Sequence, residues 1–357
     1  LSRGLIFNVL LPPLVFDAAL RLDWTRFRGE LALTAALAMA GVAIAASVVA
    51  AGMHYALGWS WLGAGLFGVL ISATDPVSVI ASFRELKVEP RLALLVESES
   101  LLNDGVAAVA FAVLSGIAAG GGSESGMMLV PEFLWTLGGG VLVGVVLSWA
   151  ILLIAGRTDD HLVEITLTAI VAYASFQAAE EVHASGVIAA LAAGLMVGNL
   201  GWTGAISKDG RAHVLSAWDF FAFLANSIVF ILIGFNTADQ PLHQLGSLTA
   251  IVAILLVLAG RLLSIYPLAA LFEPSRWRVP ARYRHVLFWG GLRGALGLAL
   301  ALAVPASVPE RGAIIASAFV VVAFSIFAQG LTMPWLIARL RLAADPEEAV
   351  AARSAHR

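Results

Sequence analysis

Residues 61–82 read WLGAGLFGVLISATDPVSVIAS. The stretch is long enough to cross about 30 Å of hydrocarbon at ~1.5 Å per residue, yet Thr74, Asp75 and Pro76 fall near its middle. Proline removes a backbone donor and clashes with the preceding turn, so the helix is expected to break or unwind there. A broken helix at membrane depth is tolerated only where protein or a cavity meets the freed backbone groups, and transporters use such breaks to form ion sites. Asp75 would sit at the break, where it can also cap the second half-helix at its positive end.

The rest of the chain supports a membrane setting. Of its 357 residues 60% are hydrophobic and 13% charged, and the mean hydropathy is +0.91, more apolar surface than a soluble domain can bury. Apolar stretches recur near 4–20, 31–57, 61–82, 92–118, 131–155, 161–179, 184–200, 213–236, 246–272, 284–304 and 311–338, giving an all-α polytopic protein of about eleven spans. Runs such as 31–51 lack the alternation of a barrel strand. The absence of cysteine excludes disulfides and thiolate metal sites. The net charge of −3, without a basic block, gives no sign of nucleic-acid binding. The chain opens at Leu1 inside an apparent membrane segment, and residues are expected to precede it.

If the chain enters from outside, most of the 21 basic residues fall in loops 21–30, 83–91, 156–160, 201–212 and 273–283 and in the tail, all on the cytoplasmic side. Only Arg3 and Arg311 face outward. This asymmetry is what the positive-inside rule requires, and it places the C-terminus in the cytoplasm of a multi-pass protein of the cell membrane. Gly138, Gly139, Gly140 and Gly144 permit close helix approach.

A charge at membrane depth costs at least about 2.5 kcal/mol on insertion scales, so each is a functional candidate. In 96–111, VESESLLNDGVAAVAF, Ser100 and Asp104 stack at i, i+4, as do Glu99 and Asn103. One face thus offers a carboxylate and a hydroxyl, suited to a hard, oxygen-seeking cation. Glu97 is read as a solvated residue near the cytoplasmic mouth, and Asp104 as too deep for that. Arg293, in FWGGLRGALGLALAL, is equally deep and needs a buried acidic partner, for which Glu99 is the choice. Arg261 either snorkels to the inner interface or lines the same cavity. Asp17, after the diproline of LLPPLVFDAAL, lies near the inner end of its span. Asp219 and Glu164 are read as interfacial, and Asn226, Ser227 and Gln329 as groups that hydrogen-bond between helices.

In order and spacing, LPPLVFDAAL, SATDPVSVIASF, ESLLNDGVA, FLANSIVFILIG and GGLRGALGLALAL resemble the monovalent cation:proton antiporters of the NhaP and eukaryotic sodium/proton exchanger type. The resemblance covers essentially the whole chain. It implies an inverted-repeat antiporter fold of thirteen helices with two unwound, crossing helices, here 61–82 and 284–304, and a homodimer. The eleven spans would match the third to thirteenth helices of that pattern. Residues 1–30 and 119–212 would form the dimerisation side, 31–118 and 246–342 the mobile core, 213–245 the linker helix and 343–357 a short tail. Asp104 becomes the essential ion and proton carboxylate, with Asp75, Ser100, Thr74 and Asn103 around it and Na+ held by Asp104, Ser100, Asp75 and Thr74. Glu99 and Arg293 match the buried pair, and Asp17 an acidic position where many members carry glutamate. Asn103 stands where electrogenic relatives carry a second aspartate, which implies electroneutral exchange of one Na+ or Li+ for one H+ by elevator-type alternating access.

No cofactor is expected, and no GxxxxGK[ST] loop is present. A K+/H+ antiporter on the same scaffold is the nearest alternative. An intramembrane aspartyl protease, using Asp75 and Asp104 as a dyad, is the alternative of another class, but neither residue lies in a GxGD setting. A transport-dead sensor fits poorly with an intact Thr74, Asp75, Ser100 and Asp104.

Overall fold

The computed structural model describes residues 6–120, 129–156, 160–238 and 246–343. The expected positions of Arg3, Arg157, Arg353, Arg357 and nearly all of the tail lie outside them. Among the described residues, seven helical stretches are by themselves long and apolar enough to cross a membrane. They include α2 (Trp24–Leu57), α5 (Pro90–Ala118), α6 (Leu129–Ala155), α7 (His161–Glu181), α9 (Lys208–Ala238) and α10 (Ser247–Leu271). The seventh is the C-terminal stretch, α13 (Arg311–Phe324), a π-helical turn (Ser325–Gly330) and α14 (Leu331–Arg339).

The other expected crossings are built from shorter pieces. Residues 61–82 divide into α3 (Trp61–Leu70) and the start of α4 (Val77–Leu86), and 284–304 into α11 (Ala281–Trp289) and α12 (Ala295–Leu302). The first break surrounds Pro76, and the second runs through the glycine-rich Gly290–Gly294. A π-helical turn (Ile6–Leu10) leads into α1 (Leu11–Leu20), whose first positions take Pro12 and Pro13, where a missing N–H costs nothing. The short α8 (Gly186–Leu200) is capped by the hydroxyl of Ser185.

Two boundaries depart from the sequence reading for local reasons. α2 begins at Trp24 rather than near residue 31, because Asp23 accepts hydrogen bonds from the backbone N–H of Thr25 and Arg26. α9 likewise begins at Lys208 rather than 213. The hydroxyl of Ser207 accepts the N–H of Gly210, while Ser207 donates its own N–H and O–H to Glu164. Glu164, expected at the interface, is therefore fully buried as the anchor of that helix start.

The helices gather into differently composed cores. One cluster joins Leu33 and Leu37 of α2 to Val79 and Phe83 of α4, Leu92 and Leu95 of α5, Ile265 of α10 and Val286 of α11. Another joins Phe16 and Leu20 of α1 to Val171 of α7, Ala193 and Val197 of α8, and Trp218 of α9. A larger cluster runs between the two groups of helices.

Close packing of α6 on α8 depends on two of the four glycines noted in the sequence. A Cβ at Gly140 would lie 2.7 Å from the Ser185 carbonyl oxygen, and one at Gly144 would overlap that of Ala189, whereas Gly138 faces open space. Gly144→Val is expected to lower stability by about 1–3 kcal/mol, and Gly138→Ala to change it by less than ~1 kcal/mol. Thermal melts of the two purified variants in detergent check the contrast, and equal losses would contradict this packing.

Candidate functional site

The two helix breaks lie against each other. Asp75 donates its backbone N–H to the carbonyl oxygen of Leu292 at 2.7 Å. Arg293 donates from Nη1 to the carbonyl oxygens of Ser72 at 2.7 Å and Ala73 at 3.2 Å. Both carbonyls belong to the break itself, beyond the end of α3 at Leu70. On the far side of the break, Asp75 accepts the N–H of Val77, the first residue of α4, on Oδ1 at 3.0 Å, although the N-cap position itself is taken by Pro76.

Glycine is required where the breaks pack. A Cβ on Gly294 would collide with the Asp75 carboxylate, and one on Gly291 would lie 2.5 Å from Arg261 Nε. The GGLRG motif thus brings the backbone within reach of two charged side chains.

The middle of α5 faces the first break. Thr74 donates its N–H to Asp104 Oδ1 at 3.1 Å. Hydroxyl and amide groups continue in one donor direction, from Asn103 Nδ2 to Thr74 Oγ1 at 3.3 Å, from Thr74 Oγ1 to Ser100 Oγ at 3.2 Å, and from Ser100 Oγ to the Thr74 carbonyl at 2.5 Å. Asn103 also donates to Glu99 Oε1 at 3.3 Å.

The expected pairing of Glu99 with Arg293 is corrected by this geometry. Glu99 is held by Arg261, Nη1 to Oε1 at 2.7 Å and Nη2 to Oε2 at 2.9 Å, a bidentate pair with both residues buried. Arg261 neither snorkels nor lines the cavity, and its remaining contacts run to the Leu287 carbonyl at the end of α11. Arg293 instead donates from Nη1 to backbone carbonyls of the first break, while its buried Nε has no hydrogen-bond partner among the described residues. Both arginines lie deep enough to need a partner, and sequence alone left two candidates for one glutamate.

A cavity of about 410 Å³ reaches this site. Thr74, Asp75, Ser100 and Asp104 line it, together with Gly294 and Ala295 at the start of α12. Four of the expected site residues are therefore brought together, while Asn103 is buried behind them. The cavity mouth carries Asp17, Arg21, Arg84, Glu97 and Asp219. Asp17 is not at the deep site. It pairs with Arg21 at 2.8 Å, and Arg21 in turn reaches Asp219 at 2.7 Å, so α1 and α9 are tied by a three-charge group. Asp219, read from sequence as a simple interface residue, belongs to that rim, and Asn226 also lines the cavity. The signal for this rim was the basic Arg21 four residues after Asp17.

Chemically, the deep site offers two carboxylates, hydroxyl oxygens and a peptide carbonyl, the donor set of a hard cation. Among the described residues no group of three histidine or acidic side chains forms a transition-metal cluster.

Comparison with known proteins agrees in extent. The sodium/hydrogen exchanger transmembrane family matches residues 2–339. The Na+/H+ antiporter ApNhaP of Aphanothece halophytica is 40% identical over 346 residues, 97% of this chain, which spans 66% of that protein's length. The Na+/H+ antiporter NhaH of Halobacillus aidingensis is 32% identical over 350 residues, covering 96% of this chain and 84% of that protein. The fold is similar to that of the sodium proton antiporter MjNhaP1 of Methanocaldococcus jannaschii, with a TM-score of 0.76, 20% identity, and coverage of 94% of this chain and 85% of that one.

The Glu99–Arg261 contact predicts strong coupling. Glu99→Gln or Arg261→Gln alone should each cost on the order of 3–5 kcal/mol by leaving a buried charge uncompensated, and the double variant should recover part of the loss. The same cycle between Glu99 and Arg293, which share no hydrogen bond, should show much weaker coupling than the Arg261 cycle. Melting measurements in detergent on all variants check this, and coupling confined to the Arg293 cycle would overturn the assignment.

Proposed function

Because the chain belongs to the sodium/hydrogen exchanger transmembrane family, we propose that it is a secondary active transporter exchanging Na+ for H+, one for one, across the membrane. The observation that carries this reading is the meeting of Thr74, Asp75, Ser100 and Asp104 at the inner end of one cavity, beside two helix breaks. Relatives that are 40% and 32% identical over most of this chain carry the name Na+/H+ antiporter.

In this mechanism Asp104 takes either a proton or a cation. Bound Na+ would draw on the carboxylates of Asp104 and Asp75, the Ser100 hydroxyl and the Thr74 oxygens, while protonation of Asp104 removes the charge that holds it. With one Na+ or one proton bound the site is one charge less negative than when empty, so the empty site is the more expensive to carry through low dielectric and exchange is obligatory without nucleotide. Glu99 is already neutralised by Arg261, and Asn103 adds no second titrating acid, which supports electroneutral exchange.

Movement would be of elevator type. The core, residues 31–118 and 246–342, would slide against a scaffold of 1–30 and 119–212, with 213–245 as the linker. The cavity between α1 and α9 on one side and α4, α5 and α12 on the other supports that division. The protein would act as a homodimer in the cell membrane, with its mouth and C-terminus facing the cytoplasm.

A proteolytic role is not favoured. Asp75 and Asp104 accept from separate backbone N–H groups, Val77 and Thr74, and among the described residues no hydrogen bond joins the two carboxylates.

Proton flux in proteoliposomes, titrated separately with Na+, Li+ and K+, tests the assignment and its ion preference. Asp104→Asn should abolish cation-dependent proton exchange while the protein still folds, and near wild-type exchange would sink the role given to Asp104. An imposed membrane potential should leave unshifted the Na+ gradient at which proton flux reverses. A reversal point that follows voltage would mean more than one proton per cation.

A further inference from the structure

The C-terminal crossing is not a continuous α-helix, since Ser325–Gly330 form a π-helical turn between α13 and α14. π-Turns inside α-helices are uncommon and cluster at functional sites. This one lies directly behind the second helix break. Arg293 donates its backbone N–H to Ser325 Oγ at 3.1 Å, and the same hydroxyl lies 3.1 Å from the Arg293 carbonyl oxygen and 2.9 Å from that of Val322. One residue turn further on, Gln329 Nε2 donates to the Trp289 carbonyl oxygen at 3.2 Å, where α11 stops. Ser325 is fully buried and Gln329 nearly so, and neither lines the cavity.

These side chains splint the freed backbone of the second break, and the first break is fastened to that backbone. Leu292 accepts the Asp75 N–H, and Arg293 holds the Ser72 and Ala73 carbonyls. Ser72 and Ala73 lead directly into Thr74, whose N–H fixes Asp104. The path from Ser325 to the carboxylate therefore runs through backbone hydrogen bonds and one guanidinium, with no direct contact.

We propose that Ser325 is a positioning residue for the cation site, setting cation affinity through the Arg293 backbone without touching the ion. This deepens the transport reading and rests on it for the identity of the ion. Ser325→Ala leaves the buried Arg293 N–H without its acceptor, and the relaxation of that turn loosens the oxygen set around Asp104. Ser325→Cys keeps the volume but replaces a good acceptor with a weak one. Ser325→Thr keeps the hydroxyl.

The full chain is measured in two ways, as proton flux per folded protein in proteoliposomes and as thermal stabilisation in detergent by added Na+. The alanine and cysteine variants should raise the half-saturating Na+ about tenfold in both assays, the effect of one buried hydrogen bond. Vmax per folded protein should change far less, and threonine should restore affinity. A purely structural role would lower the amount of folded protein or Vmax and leave half-saturation where it was. If the alanine variant does not fold, the cysteine variant decides. Half-saturation unchanged in a folded Ala or Cys variant overturns the inference. Wild type that binds Na+ without exchanging it would overturn the transport reading alone, because the binding assay still compares the variants. If wild type answers only to Li+ or K+, the same comparison is made with that ion, and a wild type that responds to none of the three overturns both.

Discussion

An amide or carbonyl without a partner costs several kcal/mol in hydrocarbon, and two interrupted helices create a concentration of such groups where water is scarce. The fold answers by setting the two interruptions face to face. Asp75 N–H meets the Leu292 carbonyl, and the Arg293 guanidinium meets the carbonyls just beyond the end of α3. Arg261 and the Ser325–Gly330 turn supply what remains around α11. Everything at the site follows from this arrangement, because a continuous helix at 61–82 would leave Thr74 no free N–H to present to Asp104.

The same economy governs the charges. Arg293 lies near Asp75 and Asp104, yet its hydrogen bonds go to backbone carbonyls, so the two carboxylates keep cavity-facing oxygens. Glu99, one turn from Asn103 on α5, is occupied bidentately by Arg261. The two arginines therefore divide their work, one neutralising a structural carboxylate and the other stabilising unwound backbone. Gly291 and Gly294 make the division possible by letting Arg261 and Asp75 lie directly against the chain.

Much of this was legible in sequence, and the reasons are local. The break follows from Pro76, the shared face of Ser100 and Asp104 follows from helical periodicity, and the membrane setting follows from apolar run lengths. What was illegible is long-range. Glu99 and Arg261 are 162 residues apart, and Arg293 has an equal claim on a buried acid by depth alone. The paired glycines before Leu292 were the available clue, since a glycine beside a break implies that something bulky lies on it. Glu164 was misread for a similar reason. Its place near a span end suggests solvent, whereas the start of α9 folds back over it and uses both of its oxygens.

Asn103 shows how tightly the neighbours constrain one polar position. Its amide nitrogen donates to both Glu99 and Thr74, which fixes its orientation and starts the donor chain that ends on the Thr74 carbonyl. An aspartate there would set a carboxylate against Glu99 and remove the donor that Thr74 accepts. Arg261 is already engaged with Glu99 and Leu287, so the new charge would require a further cation or a proton of its own. The neutrality of position 103 is thus imposed by the buried pair behind it. In the proposed exchange, that charge-neutral support leaves Asp104 as the group that alternates between proton and cation.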